Sequence, residues 1–162
     1  MMIPELIGLM IETYQDRRLT EHALKVYGYA LGIGGEEGLA GREMETLCAA
    51  AVLHDIGIPK AIEVHGSAAG PYQEKEGALL GRKLLGQVAG TEEITDEVVW
   101  LIGHHHTEED AEGNILLQVL MEADYLVNLS ESPQHHPAQA AVRDAFFKTK
   151  TGIRYINTLF SL

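Results

Sequence analysis

Two residues in the middle of the chain, His54 and Asp55, stand side by side where a helix carries its apolar face. In METLCAAAVLHDIGIPK (44–60), Leu47, Ala50, Ala51 and His54 recur at helical spacing, so a face of small apolar side chains also takes an imidazole inward. Gly57 and Pro59 are expected to end this helix and leave Asp55 in its last turn, where the backbone can aim both side chains at one point. Within a regular helix, adjacent side chains would diverge by about 100°. Asp124 is similarly out of place: in NILLQVLMEADYLVNLS it shares a face with Leu117, Leu120 and Val127. His22 lies on the stripe formed by Ala23, Val26, Tyr27 and Ala30. A buried carboxylate loses most of its hydration and needs a partner, and few basic residues lie on apolar faces to supply one. Together His22, His54, Asp55 and Asp124 make a two-histidine, two-carboxylate set. Such a set suits one hard or borderline divalent ion, Mn, Fe, Co, Ni, Zn or Mg, with positions left open for water and substrate.

Further candidates lie nearby in the chain. Of the consecutive His104, His105 and His106, spacing from Leu101 and Ile102 puts His105 on the apolar stripe, His104 at its margin and His106 on the far side. Three in a row cannot all reach one ion from a regular helix. The stretch 56–72, rich in glycine and proline, reads as the longest irregular segment, and its Lys60, close behind the His-Asp pair, is suited to meet a phosphate as a point charge. His65 is a weaker candidate in the same stretch. His135 and His136, between Pro133 and Pro137, read as solvated loop residues.

The elements that must position these groups all read as helices. An amphipathic helix is expected over 3–19, with Ile7, Met10, Ile11 and Tyr14 inward. Thr20 is the expected N-cap of the helix bearing His22, and Gly32, Gly34 and Gly35 are expected to stop it. A helix over 73–90 turns Leu80, Leu84, Leu85 and Val88 inward, and Thr91 with Glu92 and Glu93 marks the start of the one reaching the three histidines. The Asp124 helix spans 114–130, a loop follows over 130–137, and segments 138–147 and 152–160 close the core through Val142, Phe146, Ile153, Ile156 and Leu159. No strand pattern emerges.

Composition limits what such a site could serve. At 162 residues the chain is expected to be one domain with a core of its own. Its 24 acidic against 12 basic residues leave a net charge of −12, which argues against a nucleic-acid duplex or an anionic membrane as partner. A small anionic substrate stays compatible, because a metal can reverse the sign locally. The lone Cys48 cannot form an internal disulfide and reads as a small buried apolar residue, consistent with a cytoplasmic location. The opening MMIPELIGLMIETYQDRR lacks a basic leader, and no apolar run reaches membrane-spanning length.

His22, the dipeptide His54-Asp55, the cluster at His104-His105, and Asp124 within EADYLVNL resemble the HD-domain superfamily of metal-dependent phosphohydrolases, over about 20 to the end of the chain. HDIGIPK, GPYQEKEG, GHHHT, EADYLVNL and FKTKTGIR are the blocks that resemble its small stand-alone bacterial members. The resemblance implies an all-α bundle with a metal site between helices, His22, His54, Asp55 and Asp124 as ligands, and hydrolysis of a phosphate ester such as a nucleotide or another small phosphorylated metabolite. In that scheme Asp55, His104, His105 and Lys60 carry the catalytic work. Gln73 stands where two-metal members have a histidine, so a second metal is not expected. Ile56, Gly57 and Ile58 replace the glutamate of deoxynucleoside monophosphate hydrolases, and no Gly-Tyr-Pro block marks a cyclic-dinucleotide phosphodiesterase. Glu76 is a further carboxylate in a matched block. A non-catalytic nucleotide- or metal-binding module is the alternative, and a two-iron oxygenase is a third.

Overall fold

The computed structural model describes residues 2–132 and 138–162, and among these the chain is all-helical, with no strand. The elements are α1 (Met2–Tyr14), α2 (Arg17–Glu36), α3 (Gly41–Leu53), α4 (Ile58–His65), α5 (Gly70–Leu85), α6 (Thr95–His104), a short 3-10 turn (Glu108–Ala111), α7 (Ile115–Glu131), α8 (Gln139–Phe146) and α9 (Lys150–Phe160). No helix of the described residues is long and apolar enough to cross a membrane.

Helix α3 is the axle. Every residue from Thr46 to Leu53 is buried, and the run of small side chains LCAAAV lets α1, α2, α6 and α7 all pack against it. Helix α7, buried along most of Leu116 to Leu129, packs along α2, so α2, α3 and α7 form the layer in which the out-of-place polar residues lie. Helices α4, α5 and α6 form a second layer, joined to the first through α3 and α6.

Several boundaries differ from the sequence expectation, each for a local reason. Helix α1 ends at Tyr14 rather than Leu19, because Gln15 turns into the left-handed region at φ 48°. Asp16, not Thr20, then caps α2, its carboxylate accepting the Leu19 N–H at 2.9 Å. Ile11, expected inward, is exposed. Glycines 32, 34 and 35 do not stop α2. Gly34 instead lies so close beneath α3 that a Cβ there would come within 2.8 Å of Leu47 Cδ1's partner methyl, Cδ2. The segment 56–72 is not irregular throughout: Pro59 opens α4, since the first turn of a helix loses nothing by lacking an N–H. Thr91 does not start a helix. Its hydroxyl donates back to the carbonyls of Leu85 (2.8 Å) and Val88 (3.0 Å), closing the end of α5, and α6 begins at Thr95. Helix α7 includes Ser130 and Glu131, and Leu159 on α9 is exposed. His135 and His136 lie outside the described residues.

The C-terminal helices are pinned to the site layer by a buried carboxylate. Glu122 on α7 is fully buried and accepts the backbone N–H groups of Lys148 (2.7 Å) and Thr149 (2.9 Å), the Thr149 hydroxyl (2.5 Å) and the Gln118 amide (2.8 Å). Thr149 in turn caps α9 by accepting the Gly152 N–H at 2.9 Å. Every oxygen of Glu122 is thus paired with donors around one helix start, which is what makes its burial tolerable. Glu122→Ala strands the Lys148 and Thr149 N–H groups and is expected to lower stability by about 3 kcal/mol or more, measured as a reduced midpoint in urea unfolding.

Candidate metal centre

His54 is the residue that closes α3, and its backbone is still helical (φ −56°, ψ −37°). The chain then tightens, with the Ile56 N–H bonded to the Leu53 carbonyl and the Ile58 N–H to the Asp55 carbonyl, both at 3.0 Å. This change of pitch lets adjacent side chains converge, so that His54 Nε2 lies 3.3 Å from Asp55 Oδ2. Gly57 makes the turn possible: a Cβ there would overlap the backbone of Gln73 and Gly77 on α5. The HDIG stretch is therefore wedged directly against another helix. Gly57→Ala is expected to push α5 away from that turn and cost about 1–3 kcal/mol, with weaker metal binding in the same protein; denaturant unfolding and a zinc titration read the two effects.

His22 from α2 and Asp124 from α7 complete the cluster. His22 Nε2 lies 3.1 Å from Asp124 Oδ1, 3.3 Å from Asp55 Oδ2 and 3.3 Å from His54 Nε2, and His54 Nε2 lies 3.4 Å from Asp124 Oδ1. All four residues are buried. The far nitrogen of each ring is already engaged: His54 Nδ1 with the Ala51 carbonyl at 2.8 Å and His22 Nδ1 with Glu131 Oε2 at 3.0 Å. Both Nδ1 atoms therefore carry the hydrogen in the neutral rings, which turns the Nε2 lone pairs toward each other and toward two carboxylate oxygens.

Four acceptors converging in a buried space repel unless a cation joins them. Ligands about 2.0–2.2 Å from one ion lie about 2.8–3.1 Å apart at octahedral angles and about 3.3–3.6 Å apart at tetrahedral ones. The two Nε2 atoms lie 3.1–3.4 Å from each other and from the two carboxylate oxygens, within the span that one ion with positions left open for water would set. Without an ion, protons do the same work. Burial pulls the pKa of His54 and His22 down, but the hydrogen bonds and charges of Asp55 and Asp124 outweigh it and leave both imidazoles above their ordinary value. Burial pushes the two carboxylates up, and the histidines more than reverse this, holding both well below the usual range. A cation entering the cluster must displace protons from the rings, so its affinity falls as pH falls through the raised imidazole pKa values. Calorimetric zinc titrations in buffers of different ionisation enthalpy are expected to show proton release on binding.

Asp55 also faces a second group. Its Oδ1 lies 3.3 Å from His105 Nε2, and Asp55, His105 and His106 offer ligand atoms that lie within 4.8 Å of one another. His105 Nδ1 is engaged by the Ile102 carbonyl at 2.7 Å, while its Nε2, buried and close to Asp55, is not aligned for a hydrogen bond. Gln73 Oε1 is likewise buried without a partner, its amide nitrogen donating to the Ala68 carbonyl. His105 and His106 open onto a cleft of about 90 Å³ whose other walls are Glu108, Met121, Asp124, Tyr125 and Asn128.

The family model of the HD domain matches residues 19–129 of the chain. The chain belongs to the HD-domain family. Neither the curated proteins nor the solved structures yielded a match. The HD domain implies a metal-dependent phosphohydrolase scaffold, and this HD domain carries a histidine and aspartate cluster between its helices that could hold the metal.

The structure brings His22, His54, Asp55 and Asp124 together and sets His105 beside them. His104 and Lys60 stand apart. The His104 ring stacks on Trp100 at 4.2 Å with its Nε2 3.9 Å from Asp110, and the Lys60 ammonium pairs with Glu63 at 3.2 Å on an exposed part of α4. His65 bonds Glu76 at 3.0 Å and stacks on Tyr72 at 4.5 Å. His106 packs against His105, and its backbone N–H donates to Glu74 at 2.9 Å. Sequence reasoning passed over Glu131, the partner of His22, and the cleft residues Glu108, Tyr125 and Asn128. Glu131 stands seven residues after Asp124, a spacing that returns to the same helix face.

Proposed function

We propose that this HD domain hydrolyses a phosphate monoester of a small metabolite, a nucleotide among the candidates, with one divalent ion held by His22, His54, Asp55 and Asp124. The observation that carries the proposal is the convergence of four buried acceptor atoms beneath an open cleft. Those four residues would hold the ion, which when bound would supply Lewis-acid chemistry: an acidified water and a polarised phosphoryl oxygen.

The chain's own groups supply the rest. Asp55 has one oxygen in the metal cluster and the other toward His105, so it can accept a proton from a water at that edge and stand in contact with the ring that shares it. His105 Nε2, the free nitrogen of a ring fixed at Nδ1, is placed to hold that proton and deliver it to a leaving oxygen. A cleft of about 90 Å³ has room for a phosphoryl group and little of the remainder. The organic part of the substrate would then extend over Glu108, whose carboxylate takes the Tyr125 hydroxyl at 2.5 Å, toward the wider groove of about 750 Å³ that Glu108 also lines. Among the described residues, Lys148 is the one basic residue lining that groove, against Glu108, Glu109 and Glu112. This balance favours a substrate with a single phosphate over a polyphosphate.

A screen of phosphomonoesters and nucleotides with Mn, Co, Ni or Mg tests the proposal. Phosphate release is expected with at least one metal, and Asp55→Ala is expected to abolish it while circular dichroism stays helical. Unchanged turnover in that variant would refute the assignment of Asp55. Tight nucleotide binding with no release would identify a regulatory module instead, and two irons per chain with oxygen uptake an oxygenase.

A further inference from the structure

The His22 ring is bracketed by two carboxylates of one helix. Its Nε2 meets Asp124 Oδ1 at 3.1 Å and its Nδ1 meets Glu131 Oε2 at 3.0 Å. Asp124 and Glu131 are seven residues apart on α7, two turns along the same face, or about 10.5 Å of helix rise. An imidazole lying along α7 fits between them. The other oxygen of Glu131 lies 3.4 Å from the Lys25 ammonium, one turn beyond His22 on α2. The inner oxygen engages the ring, while the outer one meets an exposed ammonium in a pair too solvated to hold the carboxylate in place.

We propose that Glu131 is the positioning residue of the metal centre: by accepting the His22 Nδ1–H it fixes the tautomer that points a lone pair into the cluster, and its charge makes that lone pair more basic. This rests on the metal reading of the cluster given above. The two histidines are unequal in consequence. His54 Nδ1 donates to a neutral backbone carbonyl, whereas His22 Nδ1 donates to an anion, and an anionic acceptor raises the basicity of the opposite nitrogen more. Glu131 also brings a third carboxylate to the neighbourhood of the ion without occupying a coordination position, which leaves the open side of the cluster to water and substrate. Nothing in the packing requires a glutamate there, since Glu131 lies at the exposed end of α7 and reaches inward only through its carboxylate.

The test uses the full chain and zinc or cobalt as the probe. Glu131→Ala is expected to weaken zinc affinity about 10–100-fold, and in ¹⁵N spectra of the zinc-loaded protein to shift the His22 Nδ1 resonance away from its hydrogen-bonded position. Glu131→Gln, which keeps an oxygen acceptor but not the charge, is expected to fall between the two and carries the test if the alanine variant does not fold. Lys25→Met, which touches only the outer oxygen, is expected to leave the affinity within about twofold. Zinc affinity and the His22 resonance both unchanged in Glu131→Ala and Glu131→Gln would overturn this role alone. Failure of the unsubstituted protein to bind either ion would overturn it together with the metal reading.

Discussion

Acceptors without a donor set the terms for this molecule. Two Nε2 lone pairs and two carboxylate oxygens meet inside a helical layer, each of the two nitrogens 3.1–3.4 Å from the other three atoms, and the opposite nitrogen of each ring is committed elsewhere. Positive charge has to enter that space, as an ion or as protons, because two buried carboxylates cannot stay ionised among lone pairs in a low-dielectric surrounding. The raised imidazoles and depressed carboxylates are the protonic form of this demand. A divalent cation meets it with one particle and leaves directions free toward the cleft.

Much of the fold serves this requirement. Small side chains along α3 let α2 and α7 approach the same segment, so ligands separated by about a hundred residues in the chain come within hydrogen-bond distance. The change of pitch after Leu53 brings His54 and Asp55 to one point, and Gly57 lets that turn press against α5. Glu122, two residues before Asp124, ties the same helix to the start of α9 and limits its freedom to slide. A ligand helix anchored beside its ligand is a reasonable way to hold a site to the small tolerances that metal chemistry demands.

The parts of the site legible in the sequence were those that broke a pattern. His22, His54 and Asp124 announced themselves as polar residues at apolar positions, and the helices that carry them followed from the same periodicity. Boundaries were harder, because they turned on choices that periodicity does not encode. Thr91 had the type of an N-cap but spent its hydroxyl on the carbonyls of the preceding helix, and Pro59 opened a helix where it was expected to end one. The glycines of α2 were misread for a related reason: Gly34 is there to let α3 approach, and close approach is a tertiary fact. His104 and His105 show the same limit at the site. They differ by one position and 100° or so of rotation, yet one stacks on an exposed indole and the other reaches Asp55.

Glu131 has a place in the sequence pattern that its type alone does not reveal. A carboxylate seven residues beyond a buried aspartate lies on the same face, but at an exposed helix end it looks like any other solvated charge. Only the position of His22 on the adjoining helix distinguishes it, since that ring has one nitrogen for the cluster and needs an acceptor for the other. A histidine that ligates through Nε2 has to place its Nδ1–H somewhere. For His54 the answer is within its own helix, at the Ala51 carbonyl three residues back. His22 lies in the interior of α2, and its ring turns away from its own helix to take its acceptor, Glu131, from α7, the neighbour that runs alongside.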